Sequence, residues 1–164
     1  LYGIGYIARM TRASMTEVMT AQYIRTARLK GVSFGAVVVK DGKIVGRGAN
    51  RVTAENDPTA HAEVNAIRQA TKSLGTFDLS GAEIYTSCEP CPMCLSAIYW
   101  AHIDKIYYAN TKENAAGIGF DDQFIYQEIA KPHADRIIKS EQLLQDEASD
   151  AFSLWNESEL KTEY

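Results

Sequence analysis

Two short motifs constrain this chain more than any other feature of its sequence. His61-Ala62-Glu63 is followed further along by Pro90-Cys91-Pro92-Met93-Cys94. One imidazole and two thiolates provide three ligands for a tetrahedral ion and leave the fourth position to water, as in catalytic rather than structural zinc sites. The fold must therefore bring His61, Cys91 and Cys94 together around one zinc ion, with Glu63 beside the metal and not bound to it.

The first motif belongs to the start of a helix. Residues two apart on an ideal helix point about 200° away from each other, so His61 and Glu63 can meet at one site only over the helix N-terminus. Pro58 suits the first helical position, and Gly75 is placed to end the helix. An apolar stripe is predicted between these two residues, formed by Val64, Ile67, Thr71 and Leu74.

The second motif predicts another helix start, because Pro92 follows Cys91 directly. The positive end of a helix dipole favours thiolates and lowers their pKa, which zinc binding requires. Cys88 and Cys91 form a second C-x-x-C pair, but Pro90 breaks the geometry between them. We therefore expect Cys91 and Cys94 to be the ligands and Cys88 to be a buried thiol at a strand end.

The remaining pattern predicts an alternation of strands and helices. Asp41-Gly42 is a strong hairpin signal, since both residues tolerate positive φ. A strand, a helix and a strand in quick succession imply a right-handed parallel crossover. The predicted strands are Gly35–Lys40, Lys43–Gly46, Ala82–Thr86 and Lys105–Ala109, and the predicted helices are 13–30, 58–74, 91–101, 120–129 and 142–155.

Composition narrows the class of protein. A chain of 164 residues with 46% hydrophobic content is expected to form a single domain over 1–164. The net charge of −4 opposes a surface for nucleic acid and favours a small, weakly charged substrate. The three cysteines cannot form a disulfide framework, which predicts a reduced, cytoplasmic location. The N-terminal apolar stretch is too short to span a membrane.

Each motif also has a simpler interpretation. A single histidine on a helix is more often packed or exposed than a ligand, and a single C-x-x-C is often a redox or structural element. Glu63 could merely favour a helix N-terminus. It lies one turn before Ile67, however, which predicts that it points toward packed surface, where a carboxylate beside a metal-bound water is a general acid/base candidate.

With their flanking residues, the motifs resemble the cytidine deaminase-like superfamily of zinc-dependent nucleobase deaminases and, within it, the bacterial guanine deaminases. The resemblance covers about residues 31 to 130. It is carried by Phe34-Gly-Ala-Val-Val-Val39, Asn56-Asp-Pro-Thr-Ala-His-Ala-Glu63, Thr86-Ser-Cys-Glu-Pro-Cys-Pro-Met-Cys94, Ile98-Tyr-Trp100 and Gly117-Ile-Gly-Phe-Asp-Asp122.

The resemblance implies a three-layer α/β/α sandwich around a mixed β-sheet. It implies that a zinc-bound hydroxide attacks guanine C2, giving xanthine and ammonia, and that Glu63 shuttles the protons. It also implies substrate contacts, for which the plainer roles are a turn residue at Asn50, core packing at Phe34 and Trp100, and a helix cap at Asp122. The implied substrate-binding residues are Asn50, Asp122, Phe34, Trp100, Ala62 and Tyr164.

The resemblance further implies a homodimer in which the C-terminal segment, about 131–164, is swapped so that Tyr164 reaches a partner's site. A disordered terminus is the plainer expectation. Rival functions are a tRNA adenosine deaminase, which would need a basic surface, and deamination of cytosine, guanosine or a triazine. A non-catalytic zinc-containing binding module is a third, which the three-ligand set and Glu63 oppose.

Overall fold

The structure is a computed structural model that describes residues 34–163. Two predictions lie outside the described residues: the helix over 13–30 and the role of Tyr164. The chain divides into two compact units, one ending at Asp121 and the other beginning at Asp122. The single domain over 1–164 therefore stays a prediction. Within the described part, no helix has both the length and the apolar character needed to cross a bilayer.

A four-stranded mixed sheet forms the centre of the first unit, in the order β2-β1-β3-β4. β1 pairs antiparallel with both β2 and β3, and β3 pairs parallel with β4 as the crossover predicted. Asp41 and Gly42 turn the β1–β2 hairpin with φ of 51° and 70°. The strands are β1 (Gly35–Lys40), β2 (Lys43–Ala49), β3 (Ala82–Cys88) and β4 (Lys105–Asn110).

In the described part of the first unit, the helices are α1 (Val52–Glu55), α2 (Ala62–Leu74), α3 (Pro92–Trp100) and α4 (Lys112–Ala116). The expected start of α2 at Pro58 is wrong. Asn56 takes a left-handed conformation with φ of 51°, and the Asp57 carboxylate accepts a hydrogen bond from the Thr59 backbone N–H at 2.8 Å. Pro58 lies within this local turn and is therefore not helical. The helix begins at Ala62, with His61 as its N-cap.

The second unit contains α5 (Gln123–Ala130), a short 3₁₀ turn (His133–Asp135) and α6 (Gln145–Glu157). Both α-helices were predicted, and each begins three residues later than the apolar pattern suggested. The short helices α1 and α4 were not predicted, because four or five residues carry too little periodicity to be recognised.

The core of the first unit lies between the sheet and the helices α2 and α3. Ala36 and Val38 of β1 and Ile84 of β3 are fully buried there, together with Ile98 of α3. The buried side of α2 differs from the predicted stripe: Leu74 is 39% exposed and Ile67 packs only partly against the core. The residues buried instead are small, namely Ala62, Ala66 and Ala70.

Glycines on β2 explain why the buried side of α2 consists of alanines. A Cβ at Gly46 would lie 2.3 Å from the Ala66 carbonyl oxygen, and one at Gly48 would lie 1.9 Å from the Ala62 carbonyl oxygen. Strand and helix backbones therefore pack in direct contact, with no room for larger side chains. This close approach determines where the start of α2, and with it His61 and Glu63, lies relative to the sheet.

Candidate metal centre and active site

His61 occupies the N-cap position of α2, in an extended conformation with φ of −68° and ψ of 157°. Its side chain makes no capping hydrogen bond to the helix. The segment before it is tied to the end of β2, because the Arg51 backbone N–H donates to the Ala60 carbonyl at 2.9 Å. His61 is thereby placed at the N-terminal end of α2, as the two-residue spacing to Glu63 required.

Cys91 occupies the matching position on α3, with φ of −65° and ψ of 168°, and Pro92 begins the helix. Cys94 follows in the first turn and is fully buried. The chain entering this helix is anchored by Glu89, whose N–H donates to the Asn110 carbonyl at 2.8 Å and whose carboxylate accepts from the Lys112 N–H at 3.1 Å. The second predicted helix start is therefore confirmed.

The three predicted ligands converge. His61 Nδ1 lies 3.6 Å from Cys91 Sγ and 3.5 Å from Cys94 Sγ, and all three ligand atoms lie within 4.8 Å of one another. Zn–S and Zn–N bonds of about 2.3 and 2.0 Å at a tetrahedral angle would separate sulfur from nitrogen by about 3.5 Å. The donor set and its spacing thus fit zinc, and His61, Cys91 and Cys94 are positioned to bind it.

Hydrogen bonding between the two cysteines stabilises the thiolate form of Cys91. The bond from Cys94 lowers the pKa of Cys91 to about 4, and His61 acts in the same direction. The same thiol–thiol bond, together with burial, raises the pKa of Cys94. A cation bound between the sulfurs would favour the thiolate form of both residues.

Glu63 is the second residue of α2 and only 9% exposed. Its Oε2 atom lies 3.5 Å from Cys94 Sγ, and it is outside the group of residues that could share one metal ion. Burial raises the pKa of its carboxyl group. A carboxyl group buried beside the ligands, without being one of them, has the position a proton carrier needs.

Cys88 does not join this group. It ends β3 as predicted, is half-buried rather than buried, and its thiol donates to the Thr111 carbonyl at 3.7 Å. The choice of Cys91 and Cys94 over Cys88 agrees with the geometry.

Two predicted substrate residues lie next to each other in the first unit. The Asn50 N–H donates to the Phe34 carbonyl at 3.1 Å, and the Phe34 ring meets Phe120 edge to face at 5.2 Å. The Asn50 side-chain oxygen accepts from the Val52 N–H at 3.2 Å, which is the turn role considered above. Its side-chain nitrogen takes no part in that turn.

The other predicted contacts lie on different elements. Ala62 is the first residue of α2 and is buried. Trp100 ends α3 at 62% exposure, about 13 Å along the helix axis from Cys91, so its own helix does not bring it to the ligands. Asp122 stands at the N-cap position of α5 without a side-chain capping bond, in the second unit. Their roles stay predictions.

Sequence reasoning missed the residues that support the site. Asn65, Glu89 and the glycine pair of β2 make the contacts that place the two helix starts. The glycine pair could have been recognised in the sequence. A G-x-G pattern on one face of a strand, followed by alanines at four-residue spacing on a helix, is typical of close packing. The bonds of Asn65 and Glu89 join segments distant in sequence, and no local pattern predicts them.

A mixed sheet with two helix starts that present an imidazole, two thiolates and a buried carboxylate defines a zinc-dependent hydrolytic deaminase of cytidine deaminase-like fold. The chain belongs to the family described as the cytidine and deoxycytidylate deaminase zinc-binding region, whose family model matches residues 10–110.

Individual relatives agree with this assignment. Guanine deaminase of Bacillus subtilis (strain 168) is 53% identical over 134 residues, which cover 82% of this chain and 86% of that protein. The X-ray structure of guanine deaminase from Bacillus subtilis superposes with a TM-score of 0.81 at 49% identity, covering 87% of this chain and 92% of the other. The tRNA-specific adenosine deaminase of Aquifex aeolicus (strain VF5) is 34% identical over 122 residues, 74% of this chain and 78% of that protein.

Proposed function

We propose that this protein hydrolyses guanine to xanthine and ammonia. The observation that carries the proposal is the cluster of His61, Cys91 and Cys94 beside the buried Glu63. It occurs on a chain that shares 53% identity with a guanine deaminase over 82% of its length.

The chain's own residues supply binding and proton transfer. Zinc held by the three ligands would lower the pKa of a bound water from 15.7 toward ~7 and so supply a nucleophile at neutral pH. Glu63 takes one proton of the attacking water and delivers it to purine N3 as the water oxygen bonds to C2. It then carries the second proton of that water, from the C2 hydroxyl, to the amino group, so that the C2–N bond breaks and ammonia leaves. One carboxylate serves each step because it lies beside both the water position and the base.

Substrate contacts form a second part of the proposal. Asn50 donates to the purine edge and Asp122 accepts from the amidine side of guanine, so that a base lacking these groups leaves buried polar atoms unpaired. The substrate pocket would be lined by Phe34, Trp100 and Ala62. We further propose a cytoplasmic homodimer in which the segment 131–164 swaps and Tyr164 closes the partner's pocket.

The similarity to a tRNA-specific adenosine deaminase makes adenosine in RNA the second candidate substrate. A net charge of −4 opposes this alternative, because binding of a phosphate backbone depends on clustered Lys and Arg.

A substrate panel tests the proposal. Ammonia release is measured with guanine, guanosine, cytosine, adenine and a tRNA anticodon stem-loop, on protein of known zinc content. We expect the highest kcat/KM for guanine. Glu63→Gln controls for contaminating deaminases, since its zinc binding should be intact. Activity confined to cytosine, adenine or the RNA would refute guanine as the substrate.

A further inference from the structure

Asn65, the fourth residue of α2, joins two loops that belong to different parts of the site. Its side-chain nitrogen donates to the Ala49 carbonyl at 3.0 Å and to the Ala60 carbonyl at 3.2 Å. Only the nitrogen of a carboxamide can donate, so the two carbonyls determine which way this amide points. Both N–H groups of one side chain are therefore used on backbone acceptors.

The two carbonyls belong to the residues directly before a metal ligand and a proposed substrate contact. Ala60 precedes the metal ligand His61, and Ala49 precedes Asn50, the proposed purine contact. The Arg51 N–H also donates to the Ala60 carbonyl, at 2.9 Å. Ala60 thus has two donors, whereas Asn65 is the side chain that connects Ala49 to the metal-binding helix.

We propose that Asn65 is a positioning residue that sets the distance between the metal centre and the purine-binding loop at Asn50. This inference rests on the proposed function, since it assumes that Asn50 contacts the base. Loss of the Asn65 amide leaves Ala60 bonded to Arg51, so His61 keeps its place. The end of β2 loses one of its ties to α2, the bond to the residue directly before Asn50, and the Asn50 side chain shifts relative to the metal.

The expected signature is a change in KM without an equal change in kcat or zinc content. Loss of the Ala49 bond with misalignment of Asn50 should raise KM roughly tenfold. We expect Asn65→Ala to show this rise with kcat within about threefold of wild type, because Glu63 and the ligands are unmoved. Asn65→Asp keeps the shape of the side chain but has no donor, so it should raise KM at least as much.

Gln69 provides a matched control on the same helix. Its side-chain oxygen accepts a hydrogen bond from the Arg47 backbone N–H, so it also joins α2 to β2, but one turn further from His61. Gln69→Ala should lower the free energy of unfolding and leave KM within about twofold of wild type. A purely structural role for Asn65 would make the two variants behave alike.

The experiment measures kcat, KM and zinc content for wild type, the three single variants, Asn50→Ala and the double variant Asn50→Ala/Asn65→Ala. In the double variant, we expect loss of Asn65 to add little to the KM of Asn50→Ala, since both act through one contact. An unchanged KM in Asn65→Ala, fully additive effects, or failure of Asn65→Ala to fold when Gln69→Ala folds would each overturn the inference. If wild type prefers another base of the panel, guanine is refuted, and the same comparison made with that base still decides the role of Asn65.

Discussion

Gly48 provides the most direct test of how the fold positions the metal centre. A methyl group added at this position would lie 1.9 Å from the Ala62 carbonyl oxygen and 2.4 Å from the Ala66 backbone nitrogen. Both contacts are with helix backbone, so no side chain can rotate away. The start of α2 must retreat by about 1 Å before the shorter contact is tolerable.

This displacement has two measurable consequences. Overpacking of this kind costs about 1–3 kcal/mol, and we expect Gly48→Ala to lie at the upper end because the colliding atoms belong to the backbone. The helix that moves carries His61 and Glu63, and a misplacement of about 1 Å can reduce catalysis by roughly 100-fold. We therefore expect a large fall in kcat/KM even in the fraction of protein that remains folded and zinc-loaded.

The assay compares urea unfolding midpoints and kcat/KM for wild type, Gly48→Ala and Gly117→Ala. Gly117 is the control because a methyl group there would meet only the Asn114 and Glu113 carbonyls, at 3.4 and 3.6 Å, with φ of −61°. Its substitution should change stability little. If Gly48→Ala matched Gly117→Ala in both quantities, the close contact between β2 and α2 would not be what positions the site.

Three further predictions concern the metal centre. Glu63→Gln should lower kcat by roughly 10²–10⁴-fold with zinc content unchanged, measured by steady-state kinetics and metal analysis. Cys91→Ser should lose both zinc and activity, whereas Cys88→Ala should keep both, and zinc loss from Cys88→Ala would contradict the ligand assignment. Chelation should abolish activity and lower the thermal midpoint. If zinc was present at 1,000 times its Kd, its removal should lower the free energy of unfolding by about 4 kcal/mol, and added zinc should restore both activity and stability.

Local signals were sufficient to predict the chemistry of this site from sequence. His61, Cys91 and Cys94 were predicted from residue type and spacing alone, because zinc coordination requires specific donor atoms. The helix start at Pro92 and the turn at Asp41-Gly42 were also predicted, since proline and glycine act through the conformation of their own backbone. Such features need no knowledge of the rest of the chain.

Tertiary structure decided where these residues lie. The position of α2 against the sheet, its alanine face against Gly46 and Gly48, and the bonds of Asn65 depend on which strand packs against which helix. Apolar periodicity predicted a stripe ending at Leu74, but the close approach of β2 left room only for alanine. The sequence alone determined the ligands and their chemistry. Packing between distant segments determined the distances between them, because those distances depend on contacts that form only when the whole sheet is assembled.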